Sequence, residues 1–166
     1  PARLEAWGLL AELVGVHVRG LPRPRSGGGL VELAARNGEA ACIAAVPFAP
    51  AGRIVEALTL AHDETLARQQ YADAVQRILS HLAGGFRRDA VNLVVAHSHV
   101  AGARPSQSER VVTLGDDWAA TPQAMPSTAQ YVALGHIHRP QRVEAAGRHT
   151  EHAGSRMQLD FADVEE

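Results

Sequence analysis

The sequence contains no lysine, so arginine carries all sixteen of its fixed positive charges. The charge balance is nevertheless slightly acidic, with a formal net charge of −2 when histidine is neutral. A broad basic field, which would indicate a protein that holds nucleic acid by its surface alone, is therefore excluded. An enzyme that binds phosphate groups through metal ions is not excluded by this balance.

Cysteine and long apolar runs are also scarce. Cys42 is the only cysteine, which excludes an internal disulfide and is typical of a reducing cytoplasm. Its place in the apolar run of residues 40–45 predicts a small buried side chain. No stretch approaches the roughly 20 apolar residues that span a bilayer, and the sequence predicts no signal peptide. The sequence thus predicts a soluble, cytoplasmic protein with no membrane contact.

The chain of 166 residues, 46% of them hydrophobic, is long enough for one domain with its own core. Apolar spacing predicts two helices, residues 2–14 and a longer one capped by Asp63, which end at Gly15 and at Gly84-Gly85. Strands are predicted at residues 16–18, 30–33, 40–48, 91–96, 110–114 and 131–134. Asn37-Gly38 predicts one hairpin turn, and a second hairpin is expected around Gly147. This alternation indicates a mixed α/β layer structure.

Two of the predicted strands end in paired histidines. Residues 91–96 form a continuous apolar run, typical of a strand covered on both faces, and lead into His97-Ser98-His99. Residues 131–134 lead into Gly135-His136-Ile137-His138. Functional groups of α/β sheets collect beyond the carboxyl ends of strands, and neutral imidazole is a good ligand for Mn, Fe and Zn. Alternation along an extended chain means that His136 and His138 either serve two neighbouring ions or need a bent backbone to serve one.

The other histidines have simpler interpretations. Surface or satisfied core roles are expected for His17, His62, His81, His149 and His152. The sequence near the two strand ends contains no obvious Asp or Glu. Such a carboxylate would be needed at a site for two divalent ions, because the ions repel each other unless a carboxylate offsets their charge. The nearest candidates, Asp116-Asp117, lie in a predicted loop and are expected to be solvated.

A family resemblance rests on three segments. The segment Y-V-A-L-G-H-I-H-R-P-Q at residues 131–141 closely resembles the last metal-binding motif of the SbcD family of DNA-repair nuclease subunits. Ala153-Gly154-Ser155, followed by L-D-F at residues 159–161, resembles the family's G-S-P and L-D-F segment, although Arg156 stands where proline is usual. The opening P-A-R-L-E resembles the helix that follows the family's G-N-H-D motif. The shorter G-H-x-H pattern is shared by calcineurin-like phosphoesterases in general.

The resemblance implies a four-layer α/β/β/α metallophosphoesterase sandwich, of which residues 1–166 supply the second half. It also implies two divalent ions, Mn²⁺ being the expected metal. His97 and His136 would bind one ion and His138 the other. His99 has no family counterpart and would line the crevice or contact nucleic acid. Arg139 would contact DNA phosphate or a neighbouring loop.

The implied activity is that of a metal-dependent DNA exonuclease or endonuclease acting in double-strand-break repair or hairpin processing. The implied partners are DNA, an SbcC-like ATPase and a second copy of the full-length protein. Because Pro1 enters a helical pattern without a preceding cap residue, the chain is expected to start inside a longer protein. The family's acidic motifs would precede Pro1 and its capping domain would follow Glu166, so the 166 residues alone are expected to be inactive.

Two other functions fit the same residues. One is a related calcineurin-like phosphoesterase that acts on nucleotides or phosphoproteins. The other is a non-catalytic scaffold that keeps the fold and binds a partner. The R-P-Q segment after His138 and the L-D-F segment favour the nuclease, and the three retained histidines argue against a scaffold.

Overall fold

The structure is a computed structural model that describes residues 7–8, 11–48, 64–106, 118–147 and 149–155, with backbone only for residues 64–68. Its regular elements are one long helix, α1 (Glu64–Ala83), and six strands. The strands are β1 (Leu30–Ala34), β2 (Ala40–Val46), β3 (Ala90–His97), β4 (Tyr131–Gly135), β5 (Gln141–Arg142) and β6 (Thr150–His152). Three short 3₁₀ turns lie at Arg25–Gly27, Pro122–Ala124 and Glu144–Ala146.

The six strands form one sheet in the order β1-β2-β3-β4-β6-β5. The four central strands, β2, β3, β4 and β6, are parallel, whereas β1 and β5 run antiparallel to their neighbours at the two edges. The carboxyl ends of the central strands therefore share one rim of the sheet. This architecture confirms the predicted α/β class, whereas the four-layer sandwich stays a prediction.

The core lies between α1 and one face of the sheet. The predicted apolar stripe of the helix is confirmed, because Leu79 and Leu82 are each 1% exposed and Tyr71 and Val75 are also buried. They belong to one cluster with Val94 of β3 and with residues of β4. Completely burying a leucine stabilises a fold by about 1.5–3 kcal/mol, so this layer is the principal source of stability among the described residues.

The other face of the sheet is far less covered by the described residues, which corrects the prediction of a strand buried on both faces. Burial alternates along β3. Val95 on this strand is 49% exposed, and Tyr131 on the neighbouring strand β4 is 38% exposed. Parallel strands usually have both faces covered. The continuous apolar run from Val91 to Ala96 correctly predicted a strand, but its alternation of burial follows from which layers pack on it and not from composition.

The first described segment departs from the prediction in two ways. Residues 16–18 form no strand. The apolar residues expected to line the buried side of the first helix are exposed, with Trp7 at 67%, Leu13 at 83% and Val14 at 76%. Gly15 does end this segment, since it adopts a φ of 73°, which glycine tolerates better than other residues.

Several smaller predictions are confirmed. Cys42 is buried at 1% exposure. The turn between β1 and β2 contains Gly38 at a φ of 85°, and the Asn37 side chain accepts the Glu39 N–H at 3.0 Å. Strands β5 and β6 form the second hairpin. Apart from these predictions, none of the described helices has the length and hydropathy of a membrane span.

Other predictions lie outside the described residues. They are the cap at Asp63, the strand at residues 110–114, the loop pair Asp116-Asp117, His62 and the whole segment from Arg156 to Glu166.

Candidate metal centre

The two histidine pairs lie side by side because β3 and β4 are parallel neighbours. In the sheet register His97, the last residue of β3, is opposite Gly135, the last residue of β4. His136 follows directly, so its ring lies beside that of His97, with 5.4 Å between the ring centroids and an angle of 81° between the planes. The predicted convergence of the two strand ends is therefore present at the rim.

The absence of a side chain at Gly135 leaves space for the imidazole rings of His97 and His136. A Cβ atom at this position would lie only 2.9 Å from His97 Nδ1, so any other residue would force the imidazole to move. His136 then takes a φ of 88° and is the only residue other than glycine with a positive φ in the described chain. A non-glycine residue in this region is strained by about 1–2 kcal/mol, and such strain is often found at functional sites.

Phe48 forms an apolar wall beside the pair. It follows the carboxyl end of β2, the other parallel neighbour of β3. Its ring is stacked on His136, with centroids 6.1 Å apart and planes at 8°, and meets His97 edge to face at 5.7 Å. The two imidazoles are thus held between a strand end and an aromatic ring.

His138 lies close enough to His97 to affect its protonation. His97 keeps part of its surface exposed, yet burial of the rest lowers the pKa of its imidazole, and the nearby charge of His138 lowers it further. A lowered pKa keeps the ring neutral over a wider pH range. Because only neutral imidazole can bind a metal ion, this shift favours a ligand role for His97.

His99 lies beneath these rings and is only 4% exposed. Its ring is roughly parallel to that of His136, at 24° and a centroid distance of 6.3 Å. Neither of its ring nitrogens has a hydrogen-bond partner among the described residues. The backbone fixes it there, because its carbonyl accepts the Ala120 N–H at 2.9 Å. Burial favours the crevice-lining role over contact with nucleic acid, which stays a prediction.

The chain after β6 holds the end of β4 in place. His152 is buried, and its Nδ1 lies 3.0 Å from the Gly135 carbonyl oxygen. The N–H of Ser155 donates to the His138 carbonyl at 2.8 Å. Gly154 adopts a φ of 76°, and a Cβ there would lie 2.9 Å from that same carbonyl oxygen. The A-G-S segment therefore packs against the backbone of the second histidine pair and holds it in position.

The donor set fits the histidine part of a metal centre. With metal–nitrogen bonds of about 2.1 Å, two imidazoles bound to one ion have ring centroids roughly 5 Å apart, which agrees with the separation of His97 and His136. The near-parallel stack of His99 on His136 is less suited to sharing an ion. Among the described residues no three His, Cys, Asp or Glu side chains form a complete site. This rim therefore carries the imidazoles of His97 and His136, with that of His138 nearby. The described part of the chain adds no acidic ligand to them.

No protein-family model matches the chain. The chain is 32% identical over 165 residues to the SbcD subunit of the nuclease SbcCD of Bacillus subtilis (strain 168), a match that covers 99% of this chain and 41% of that protein. The chain is therefore similar in sequence to an SbcD nuclease subunit over nearly its whole length. The resemblance indicated by the three sequence segments is thereby confirmed. The chain spans about two fifths of the length of this SbcD relative.

The SbcD-like segment after His138 continues into a loop rich in arginine. Arg139 is half-buried, and its carbonyl accepts a hydrogen bond from the Gln141 side chain at 3.3 Å. Arg139 also lines an open groove. Contact of Arg139 with DNA stays a prediction.

Sequence reasoning missed two residues of this candidate site. Phe48 could have been found from strand order, since a residue that follows β2 must lie at the same rim as His97 if β2 and β3 are parallel. His152 was assigned a surface or core role. It is a core histidine, but one hydrogen-bonded to the backbone carbonyl directly before His136. Of the remaining described histidines, His17, His81 and His149 are exposed, as expected.

Proposed function

We propose that this chain is part of a metal-dependent DNA nuclease that hydrolyses phosphodiester bonds. The observation that carries the proposal is the pair of imidazoles at adjacent parallel strand ends, His97 and His136, whose separation suits a shared ion. The relationship to an SbcCD nuclease protein supports DNA as the substrate. A role in double-strand-break repair or hairpin processing is part of the same proposal.

In this proposal His97 and His136 hold one ion and His138 holds a second, with Mn²⁺ as the metal. When bound, two such ions activate a water molecule and stabilise the oxygens of an in-line displacement at phosphorus. The protein residues orient these ligands: Phe48 and Gly135 fix the rings of the pair, and His152 fixes the backbone before His136. The carboxylates that offset the charge of two ions would come from the family's acidic motifs, which this sequence lacks, and we propose that the 166 residues alone do not cleave DNA.

The four-layer sandwich belongs to the proposal as well. Val95 and Tyr131 leave one face of a largely parallel sheet exposed among the described residues, and such faces are usually covered. A second sheet packed on this face would produce the two-sheet architecture of calcineurin-like phosphoesterases. The chain would then supply the second half of one nuclease domain.

The proposed SbcC-like partner is supported by the relative's name, which describes one subunit of a nuclease called SbcCD. We propose that the complete protein pairs with an SbcC-like ATPase, acts as a homodimer and works in the cytoplasm.

The test uses the full-length gene product that contains these residues, purified free of metal. We expect cleavage of linear duplex DNA only after Mn²⁺ is added, with little hydrolysis of nucleotides or phosphopeptides under the same conditions. The variant His136→Ala should lose DNA cleavage while keeping the circular dichroism spectrum of the wild type. Cleavage of nucleotides or phosphopeptides in preference to DNA would identify a different phosphoesterase. Absence of any metal-dependent hydrolysis would overturn the enzymatic proposal.

A further inference from the structure

An open groove of about 500 Å³ is lined by Arg139, the residue that directly follows His138 in the chain. Arg104 contributes to one wall, from the loop that follows β3. Arg139 and Arg142 contribute to the other, from the segment that follows β4. The groove therefore joins the same two strand ends that carry the histidines.

The groove is more positive than the rest of the chain. Among the described residues that line it, three are arginines, Arg104, Arg139 and Arg142, and one, Glu144, is acidic. This local excess contrasts with the net charge of −2 for the whole sequence. Arg142 also pairs with Glu151, at 3.1 Å, but its side chain remains 50% exposed, and such exposed ion pairs are weak.

The two arginine-bearing loops are joined by one side chain. Gln141 Oε1 accepts the Arg104 N–H at 2.7 Å, and Gln141 Nε2 donates to the Arg104 carbonyl at 2.7 Å. The same nitrogen donates to the Arg139 carbonyl at 3.3 Å. These bonds fix both walls of the groove relative to each other before any ligand binds, which reduces the ordering that binding requires.

We propose that this groove binds the phosphodiester backbone of a DNA strand next to the metal centre, with Arg104, Arg139 and Arg142 as the phosphate contacts and Gln141 as the residue that positions them. The proposal rests on the proposed nuclease function and deepens it. Guanidinium groups match phosphate oxygens in a bidentate geometry. Contacts of this kind set the register of a strand without reading its sequence, as a nuclease of broad substrate range requires.

The test measures DNA affinity against salt concentration for the full-length gene product, in the presence of a chelator that prevents cleavage. The variants are Arg104→Gln, Arg139→Gln and Arg142→Gln, each with labelled single-stranded and duplex DNA of two unrelated sequences. Each lost phosphate contact should reduce the slope of log affinity against log salt by about 1. At physiological salt this corresponds to roughly fivefold weaker binding, equal for both sequences.

Two controls separate the groove from general electrostatics. Arg36→Gln removes the same charge from the turn between β1 and β2, at the opposite end of the sheet, and should leave the slope unchanged. Arg104→Lys keeps the charge and should keep most of the slope. Gln141→Leu changes no charge but frees both loops, and we expect it to weaken DNA binding several-fold while the protein keeps its melting temperature to within a few degrees.

The outcomes distinguish the groove from the nuclease function. If the wild type cleaves DNA with metal and the three groove variants bind with an unchanged slope, the groove proposal is wrong and the nuclease proposal stands. A slope reduced as much by Arg36→Gln as by the groove variants would also overturn it. If the wild type binds no DNA at any salt concentration, both proposals fail.

Discussion

The two strand ends at the rim have the same His-x-His sequence but different structures. After β3 the chain continues into a backbone bridge between Val100 and Ala120, so His97 stays at the rim while His99 is buried. After β4 the chain turns at once, with His136 at a positive φ, so the second pair remains half-buried around a buried Ile137. The comparison shows that a paired motif does not by itself assign equal roles to its two histidines.

Neighbouring layers explain this difference. Beside β3, burial raises the pKa of Tyr71 on α1, and interaction with the Ser98 side chain opposes this shift. Ser98 and His99 are themselves buried. Beside β4, His152 and Ser155 hold the backbone from the opposite side. Only His99 of the first pair is therefore packed into the core, whereas both histidines of the second pair stay half-buried at the rim.

The largest expected effect is the difference in cleavage rate between variants of the rim histidines and a variant of the buried His99. His97→Ala and His136→Ala should each reduce metal-dependent cleavage by at least about 100-fold, because loss of a ligand exceeds the effect of losing its supporting residues. His99→Phe should leave cleavage within about tenfold of wild type. Steady-state rates at saturating Mn²⁺ provide the measurement. Equal losses at His97 and His99 would show that the two members of the first pair do not differ in role.

A smaller effect should follow from crowding the rim without removing any imidazole. Gly135→Ala places a methyl group 2.9 Å from His97 Nδ1, and we expect destabilisation of about 1–3 kcal/mol together with weaker Mn²⁺ binding. Gly84→Ala is the matched control, because the closest atom to its new Cβ is at 3.4 Å. Urea unfolding and metal titration report the two effects. Unchanged Mn²⁺ affinity in Gly135→Ala would mean that His97 does not depend on this contact.

Strain at the second pair predicts a separation of stability from activity. His136→Gly and His136→Ala both remove the imidazole, but only glycine relieves the backbone at a φ of 88°. His136→Gly should therefore be more stable than His136→Ala by about 1 kcal/mol, with both inactive. Thermal unfolding without metal measures the difference. If alanine is the more stable variant, the strained backbone is not a property of the protein in solution.

The smallest expected effect concerns the buried member of the first pair. A buried ring without hydrogen-bond partners is destabilising, so His99→Phe should raise the free energy of unfolding by about 1 kcal/mol. His17→Phe, at an exposed position, should change it little. Lower stability in His99→Phe than in the wild type would indicate that a partner for the His99 nitrogens exists in the complete protein.

Much of the sheet and the meeting of the histidines could be predicted because they depend on local patterns. Apolar runs predicted β3 and β4, and parallel neighbours must end at the same rim. The burial of His99 could not be predicted in this way, since it depends on a bridge between residues 20 positions apart. The exposure of Trp7 and Val95 likewise depends on which layers pack nearby. Periodicity shows which side of an element is apolar, but it does not show what covers that side.

The account depends above all on a metal ion held between His97 and His136. The most direct measurement is anomalous diffraction at the manganese edge from crystals of the full-length gene product grown with Mn²⁺. We predict a peak within bonding distance of one ring nitrogen of each of these two histidines, with a second peak beside His138. Crystals of active protein that show manganese elsewhere and none between the two rings would contradict the assignment.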